Sequence, residues 1–318
     1  MRKYHIITLL LFSAALLLNS GCQKKQSPVE DVTLRFGVLP VMQALPLFIA
    51  EERGYFAEAN VKVELIPFNT AADKDIAMVS GSIDGQFADL FTPIVLEGNG
   101  VDISIVATNY DTQDDRRMFA ILGKPGADIS NPGELKGVPV AASSNTVIHF
   151  VIEKLLTAGG LDLDEIKLVE AKNIGIRFQM LITGQVDAAA LPEPLVSAAI
   201  GQGAVMIADD SGISASQTVL VFKEDFAETY PKEVKNFLAA VNKAAAFISQ
   251  NPDSVRDAMV QYARLPEAMK DRFRAPLFPA LHAPDQASVD EAVQWLERQE
   301  VLRKTLHYEN LVSDVYLP

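Results

Sequence analysis

The sequence is short of cysteine, since Cys22 is the only one among its 318 residues. A disulfide within the chain and a cysteine-based metal site are therefore both excluded. The sequence also lacks a phosphate-binding loop, a GxGxxG fingerprint, a GxSxG elbow and an HExxH helix, so we expect no cofactor and no enzyme activity. Histidine is scarce as well, and the four histidines lack the spacing of metal ligands, so we expect no metal site: His5, His149, His282 and His307.

Positive charge is in deficit. The chain has 28 Lys and Arg against 41 Asp and Glu, which gives a net charge of −13 and a pI near 4.8. That balance disfavours nucleic acid and anionic lipid surfaces as partners. The hydrophobic content of 49% indicates a compact fold, and the length is sufficient for two lobes. We expect a monomer.

Long apolar runs are lacking too, apart from one at the N-terminus. Arg2 and Lys3 precede Ile6–Leu18, an uncharged and mostly apolar run of 13 residues. Such a run suits the core of a signal peptide and is short for a membrane span, which needs about 20 residues. We therefore predict a signal peptide over residues 1–21.

The residues around Cys22 resemble the lipobox of bacterial lipoproteins. Small residues, Ser20 and Gly21, precede the cysteine, which the resemblance makes the lipidated first residue of the mature protein. The usual leucine three places before the cysteine is Asn19 here, and an ordinary signal peptide beside an unrelated cysteine is the alternative. Residues 22–31 are polar and predict a flexible tether, which makes the lipid the only membrane attachment.

Strand and helix patterns alternate after the tether. Thr33–Val38 alternates apolar and polar residues, and Pro46 and Gly54 are placed to open and close a helix. Repeated units of this kind predict parallel sheets. A second series begins near residue 117, and Gln217–Phe222 predicts a strand that returns to the first. The fold class is therefore α/β with two lobes, the second inserted into the first through two crossovers: lobe 1 over 32–114 and 217–318, lobe 2 over 115–216.

Two later helices carry further predictions. Apolar residues share one face of the helix predicted over Thr146–Ala158, and His149 lies off that face, so we expect it to be exposed. A capping box at Ser288 and Glu291 predicts the start of another helix, in which Trp295 is expected to pack in the core.

Several segments together resemble one family, the SsuA/THI5-like (NMT1) solute-binding proteins. They are GVLPVMQALPLFIAEERGYFAEANVKVELIPF, SGSIDGQFADL, LEGNGVDISIVAT, NPGELKGVPVAA and GQVDAAALPEP, and the likeness covers residues 33–250. The resemblance implies a type II periplasmic-binding-protein fold and import through an ABC permease and ATPase. Members bind aliphatic sulfonates, taurine, nitrate or thiamine-precursor pyrimidines. A eukaryotic pyrimidine synthase of the same fold uses a cysteine-rich motif, which this chain lacks.

Ligands of open α/β sheets bind beyond the carboxyl ends of strands, so the loops at those ends supply the candidate site. The segment from Ser143 to Thr146 opens a helix, whose backbone N–H groups suit an anionic group. Ordinary helix capping is the alternative role for this segment and for Asp89. Structural packing is the alternative role for the loop Leu39–Leu45, which follows the first strand and contains Met42 and Gln43. The candidate ligand contacts are Met42, Gln43, Asp89, Leu90, Tyr110, Asp111, Ser143, Ser144, Asn145, Thr146 and Glu193.

These loops contain three carboxylates, Asp89, Asp111 and Glu193, and no Lys or Arg. A buried carboxylate beside a free anion is costly, so we expect a ligand with an amine or ring N–H donors. Taurine-like aminosulfonates and thiamine-precursor-like aminopyrimidines both fit. We therefore predict an extracytoplasmic, lipid-anchored protein that captures a small nitrogen-containing solute between its lobes for an ABC importer. A lipid-anchored sensory or scaffold protein with the same fold is the alternative.

Overall fold

The computed structural model describes residues 32–113, 115–213 and 217–318. The predicted signal peptide, the Cys22 lipidation site and the tether up to residue 31 lie outside this part of the chain, as does Asp114. Thr33–Pro318 forms one compact unit, so the lobe borders at 114/115 and 216/217 stay predictions. No helix within the described residues is long and apolar enough to cross a bilayer.

The described strands form two five-stranded sheets. In chain order the strands are β1 (Thr33–Val38), β2 (Lys62–Pro67), β3 (Gly85–Asp89), β4 (Ile103–Tyr110), β5 (Phe119–Gly123), β6 (Pro139–Ala142), β7 (Lys167–Glu170), β8 (Ala188–Pro192), β9 (Val205–Asp209) and β10 (Thr218–Lys223). The helices are α1 (Leu45–Glu52), α2 (Tyr55–Glu58), α3 (Ala71–Val79), α4 (Phe91–Gly98), α5 (Val147–Ala158), α6 (Ile174–Ile182), α7 (Leu195–Gly201), α8 (Glu224–Thr229), α9 (Pro231–Gln250), α10 (Arg256–Ala263) and α11 (Gln286–Arg298).

The first sheet has the strand order β2-β1-β3-β10-β4, and the second has β7-β6-β8-β5-β9. The α/β class and the return of β10 to the first sheet are thus confirmed. The expectation of wholly parallel sheets is wrong, because β10 runs antiparallel to β3 and β4, and β5 runs antiparallel to β8 and β9. Parallel neighbours need a helical crossover between them. The chain enters β5 and β10 without one, directly from the segments that link the two sheets.

The local patterns of the first strand and helix are confirmed. Leu34, Phe36 and Val38 are all buried on β1. Pro46 lies in the first turn of α1, and Gly54 follows its end with φ 70°, a left-handed conformation that glycine adopts without a steric penalty.

Each sheet has an apolar core that fixes the strand ends. On the first sheet the Phe36 ring packs against Phe222 and Phe237, with ring centroids 5.5 and 4.6 Å apart. On the second sheet the small residues of β8 are entirely buried beneath Leu181 and Val196 of the flanking helices. Strands covered on both faces are held rigidly, so the loops at their ends have defined positions.

Candidate functional site

A cavity of about 90 Å³ lies between the two sheets, at the carboxyl ends of β1, β3, β6, β7 and β8. Both sheets therefore contribute walls, as expected for a ligand site of this topology. A groove of about 250 Å³ adjoins it and shares the lining residues Ala71, Ser143, Thr146 and Lys172. The cavity is lined by Leu39, Val41, Gln43, Ala71, Phe87, Asp89, Phe119, Ser143, Thr146, Val147, Ile148, Lys172, Ile174, Arg177, Pro192 and Thr218.

Asp89, at the end of β3, joins the two walls. Its Oδ1 accepts a hydrogen bond of 2.7 Å from the backbone N–H of Thr92, which is the helix-capping role considered from the sequence. Its Oδ2 accepts a bond of 3.3 Å from the N–H of Val147, in the first turn of α5. Burial raises the pKa of the Asp89 carboxyl, and these two bonds act in the opposite direction. The chain thus places its own carboxylate at the helix N-terminus that was expected to hold a ligand anion.

Arg177 of α6 is a cavity residue that the sequence analysis missed. Its side chain is only 2% exposed, and its Nε and Nη1 atoms have no hydrogen-bond partner among the described residues. Burial lowers the pKa of its guanidinium from 12.5 to about 10, because desolvation disfavours the charged form, and the charge of Glu170 opposes that shift. The group therefore keeps its positive charge at neutral pH.

A signal for Arg177 was present in the sequence. It is a lone cation within the apolar segment IGIRFQMLI, and a charged residue at such a position needs a partner if the helix is buried. The loops that hold the three predicted carboxylates contain no Lys or Arg, but the cavity is lined by two cations, Arg177 and the exposed Lys172. The predicted carboxylates lie in loops at strand ends, whereas Arg177 lies inside a helix.

Two further polar groups at the cavity are buried without partners among the described residues. They are the amide oxygen Oε1 of Gln43 and the hydroxyl of Thr218. The backbone of Gln43 is held in place by a hydrogen bond of 2.7 Å from the side-chain amide of Asn109 to its carbonyl oxygen. An amide oxygen accepts hydrogen bonds, and a hydroxyl both donates and accepts. The cavity therefore offers a carboxylate, a guanidinium, an amide oxygen and a hydroxyl.

The segment from Ser143 to Thr146 lies at the junction of the cavity and the groove. Ser143 and Thr146 line both, whereas Ser144 and Asn145 line only the groove. The Thr146 hydroxyl donates to the Ser143 carbonyl at 2.9 Å, and the Ser144 hydroxyl donates to Glu170 at 2.6 Å. These hydroxyls are therefore engaged within the protein rather than free as ligand donors.

Tyr110 and Glu193 lie elsewhere, beside a larger groove of about 770 Å³. The Glu193 carboxylate accepts bonds from Arg117 Nε at 2.9 Å and from the Ser197 hydroxyl at 2.8 Å. Burial raises the pKa of Glu193, and the bonds and charge of these partners act in the opposite direction. The Tyr110 ring packs edge-on against Phe278 and is buried.

The remaining predicted contacts do not line the cavity. Asp111 pairs with His282, whose Nε2 lies 2.7 Å from its Oδ2. Met42 and Leu90 are buried hydrophobic residues. Of the predicted residues, the structure therefore brings Gln43, Asp89, Ser143 and Thr146 together at the cavity, and it places Ser144 and Asn145 at the adjoining groove.

Comparison with protein families identifies the chain. The model of the family described as NMT1/THI5 like matches residues 42–255, which is more than half of the sequence. The chain belongs to the NMT1/THI5-like family. The resemblance stated from the sequence segments is thereby confirmed.

Relatives of this NMT1/THI5-like chain include the formylaminopyrimidine-binding protein of Halalkalibacterium halodurans, 21% identical over 99% of both chains. The bicarbonate-binding protein CmpA of Synechococcus elongatus is 22% identical over 75% of this chain, and the match spans 58% of that protein. Among solved structures, the alkanesulfonate-binding protein SsuA of Xanthomonas axonopodis pv. citri, bound to MOPS, has a TM-score of 0.75 at 21% identity. The superposition covers 88% of this chain and 98% of that one, which shows that the two share a fold.

In this family member, α5 also contacts α11. His149 Nε2 lies 3.1 Å from Glu153 Oε1, and the Trp295 indole N–H donates to Glu153 Oε2 at 2.6 Å. The His149 ring packs edge-on against Trp295 at a centroid distance of 5.0 Å and is buried. The expectation that His149 is exposed is therefore wrong, because α11 covers the polar face of α5. Trp295 packs in the core as predicted.

Proposed function

We propose that this chain is the extracytoplasmic solute-binding component of an ABC importer and that it captures a small nitrogen-containing organic solute in the cavity between its sheets. The observation that carries the proposal is the convergence of Gln43, Asp89, Arg177 and Thr218, polar residues from both sheets, on one cavity. Family membership supports it, since relatives are described as binding proteins for small solutes. These relatives favour a transport role over a sensory or scaffold role.

The solute is an aminosulfonate of the taurine kind or a pyrimidine of the thiamine-precursor kind. Both have N–H donors that match the acceptors Asp89 and Gln43. The cavity is small beside ordinary ligand pockets of roughly 300–1,000 Å³, and with its adjoining groove it suits a compact solute. Ser143 and Thr146 complete the proposed contacts. Tyr110, Asp111, Glu193, Met42 and Leu90 stay predictions from the sequence.

We further propose that Cys22 is lipidated and holds the monomeric binding protein at the outer face of a bacterial membrane, beside the permease and ATPase. The proposal rests on the lipobox-like residues before Cys22. Expression of the full-length chain in a bacterial host, with and without Cys22→Ala, tests it. The parent protein should fractionate with membranes and carry acyl chains by mass spectrometry, and the variant should not. A parent protein that is fully soluble and unmodified would contradict the anchor while leaving solute binding untouched.

A thermal-shift screen tests solute binding. Sulfonates, pyrimidines, nitrate, bicarbonate, flavins and amino acids would be added to the purified protein. A true ligand at 100 times its Kd should stabilise the protein by about 2.7 kcal/mol. Calorimetry on the best compound should then show that Asp89→Ala weakens binding at least tenfold, whereas Asp187→Ala, which removes a carboxylate that pairs with Lys124 outside the cavity, leaves it unchanged. Equal effects of both variants would remove the cavity as the site.

A further inference from the structure

The electrostatics of the cavity wall narrow the ligand beyond the proposed function, on which this inference rests. Three charged residues line the cavity: Asp89, Lys172 and Arg177. Lys172 is exposed, and water can solvate it. Arg177 is almost wholly buried, so its charge is the one that the protein must compensate.

The nearby carboxylates accept hydrogen bonds from donors other than Arg177 and keep further acceptor sites. Asp89 accepts backbone N–H bonds from Thr92 and Val147 with its two oxygens. Glu170 raises the pKa of Arg177 through space, but one of its oxygens accepts both the N–H and the hydroxyl of Ser144, at 3.1 and 2.6 Å. Among the described residues neither carboxylate forms an ion pair with Arg177, and its Nε and Nη1 atoms stay without acceptors.

Proteins rarely bury an arginine without an acceptor, and the exceptions concentrate at functional sites. Two groups of opposite hydrogen-bonding character are buried without partners on residues that line the same cavity: the guanidinium nitrogens of Arg177, which can only donate, and the Gln43 amide oxygen, which can only accept. A single compact molecule that bears both an anion and an N–H group satisfies them together. A neutral pyrimidine satisfies the acceptor and leaves the guanidinium without an anionic partner.

We propose that Arg177 is the selectivity-determining residue of the site, and that it binds a carboxylate or sulfonate group of a solute whose N–H donors bind Gln43 and Asp89. The helix N-terminus of α5 is not the anion site in this arrangement, because Asp89 already occupies it. An uncharged analogue with the same N–H donors binds weakly, since it desolvates Arg177 without giving it an acceptor.

Two matched pairs of compounds test the proposal by calorimetry on the purified full-length protein. Taurine is compared with ethanolamine, and 4-aminopyrimidine-5-carboxylate is compared with 4-aminopyrimidine. In each pair mainly the anionic group differs. In at least one pair the anionic member should bind at least tenfold more tightly than its partner. Arg177→Met should remove that preference, and Arg177→Lys should keep part of it.

Arg264→Met is the control variant. Burial lowers the pKa of Arg264 as well, but this side chain does not line the cavity and instead donates to Asn69 at 3.2 Å. It should keep the binding preference of the parent. Circular dichroism and thermal unfolding establish that each variant is folded, and Arg177→Lys serves the test if Arg177→Met fails to fold.

The outcomes separate this inference from the proposed function. If any of the four compounds binds but neither pair shows a preference for its anionic member, the selectivity role of Arg177 is wrong and the solute-binding function stands. If none of the four compounds binds at millimolar concentration, the inference is wrong. The proposed function is wrong as well only if the wider thermal-shift screen also finds no ligand.

Discussion

Glu153 of α5 accepts hydrogen bonds from two residues at the neighbouring helix α11. Its carboxylate receives the Trp295 indole N–H at 2.6 Å and the Gln299 side-chain amide at 3.1 Å, both from the region of α11. His149 adds a third contact at 3.1 Å. Helix α5 packs on the second sheet and α11 packs on α4 of the first, so this carboxylate links the two halves of the fold. We predict that Glu153→Ala destabilises the protein and weakens solute binding.

The magnitude follows from the groups left without an acceptor. A hydrogen bond to a charged group contributes about 1.5–3 kcal/mol, and a buried donor left unsatisfied costs about 1–3 kcal/mol. Trp295 is 1% exposed, so water cannot replace the lost acceptor. Because the three bonds share one carboxylate, their contributions do not add, and we expect a loss of about 2–4 kcal/mol. Glu153→Gln keeps an acceptor for Trp295 and should lose less.

The assay has a built-in probe, because Trp295 is the only tryptophan of the chain. Its emission should be blue in the parent and shift to the red in Glu153→Ala, together with a lower melting temperature. The hydrogen bonds from His149, Trp295 and Gln299 lower the pKa of Glu153 although burial acts to raise it. Its stabilising contribution is therefore present above the unfolded-state pKa of about 4.3 and is lost as the pH falls through the lower folded-state pKa.

Glu291→Ala provides the matched control. Glu291 pairs with Lys154 and so joins the same two helices, but both side chains are substantially exposed. An exposed ion pair contributes roughly 0–1 kcal/mol, so this variant should unfold almost as the parent does. Equal melting temperatures and emission spectra for Glu153→Ala and the parent would refute the reasoning. So would equal losses in the two variants, since a general effect of removing negative charge would then explain both.

Three further predictions concern single positions. Arg177→Met should raise the free energy of unfolding in ligand-free buffer by about 3 kcal/mol, as measured by chemical denaturation. Burial lowers the pKa of Arg177 from 12.5 to about 10, and each unit corresponds to about 1.36 kcal/mol by which the buried charge destabilises the fold. A destabilised variant would contradict this prediction. The excess free energy of unfolding of Asp89→Asn over the parent should shrink as the pH is lowered from 7 to 4. Burial raises the pKa of Asp89, so the folded parent gains stability when this carboxyl takes up a proton, whereas Asn does not titrate. A difference that stays constant with pH would exclude the mechanism. Gly159→Ala should lower the free energy of unfolding by about 1–3 kcal/mol, and with it the melting temperature, because the added Cβ would lie 2.3 Å from Pro132. Gly201→Ala, which has open space around it, should not, and equal effects of the two variants would contradict the steric argument.

The sequence predicted the elements whose signals are local. The alternation on β1, Pro46 and Gly54 around α1, and the α/β class all follow from residues a few positions apart. The start of α11 was predicted at Ser288 from its capping box, but the helix begins at Gln286. Asp285 is the actual cap, and its carboxylate accepts the Ser288 N–H at 2.9 Å. Asp caps helices as well as Ser does, so the sequence offered Asp285 as a cap three residues before Ser288, whereas the prediction relied on the capping box alone.

The candidate site was harder to predict because its decisive contacts join distant residues. The hydrogen bond from Val147 to Asp89 spans 58 positions, and the bond from Asn109 to Gln43 spans 66. The helical face on which His149 lies was assigned correctly within its own helix, but no local pattern indicates that α11 covers it. Arg177 is buried beside a cavity that residues of both sheets line. Loops at strand ends could thus be predicted, whereas the lone cation in IGIRFQMLI indicated a buried charge without indicating that it lines the cavity.

The cavity wall extends along the chain from Leu39 to Thr218 and takes residues from both sheets. Its last contributor is the first residue of β10, the strand that returns to the first sheet after the second is complete. Contacts of such long sequence separation form late and slowly in folding. A partly synthesised chain therefore has no complete site, and capture of a solute begins only after the segment through β10 has folded.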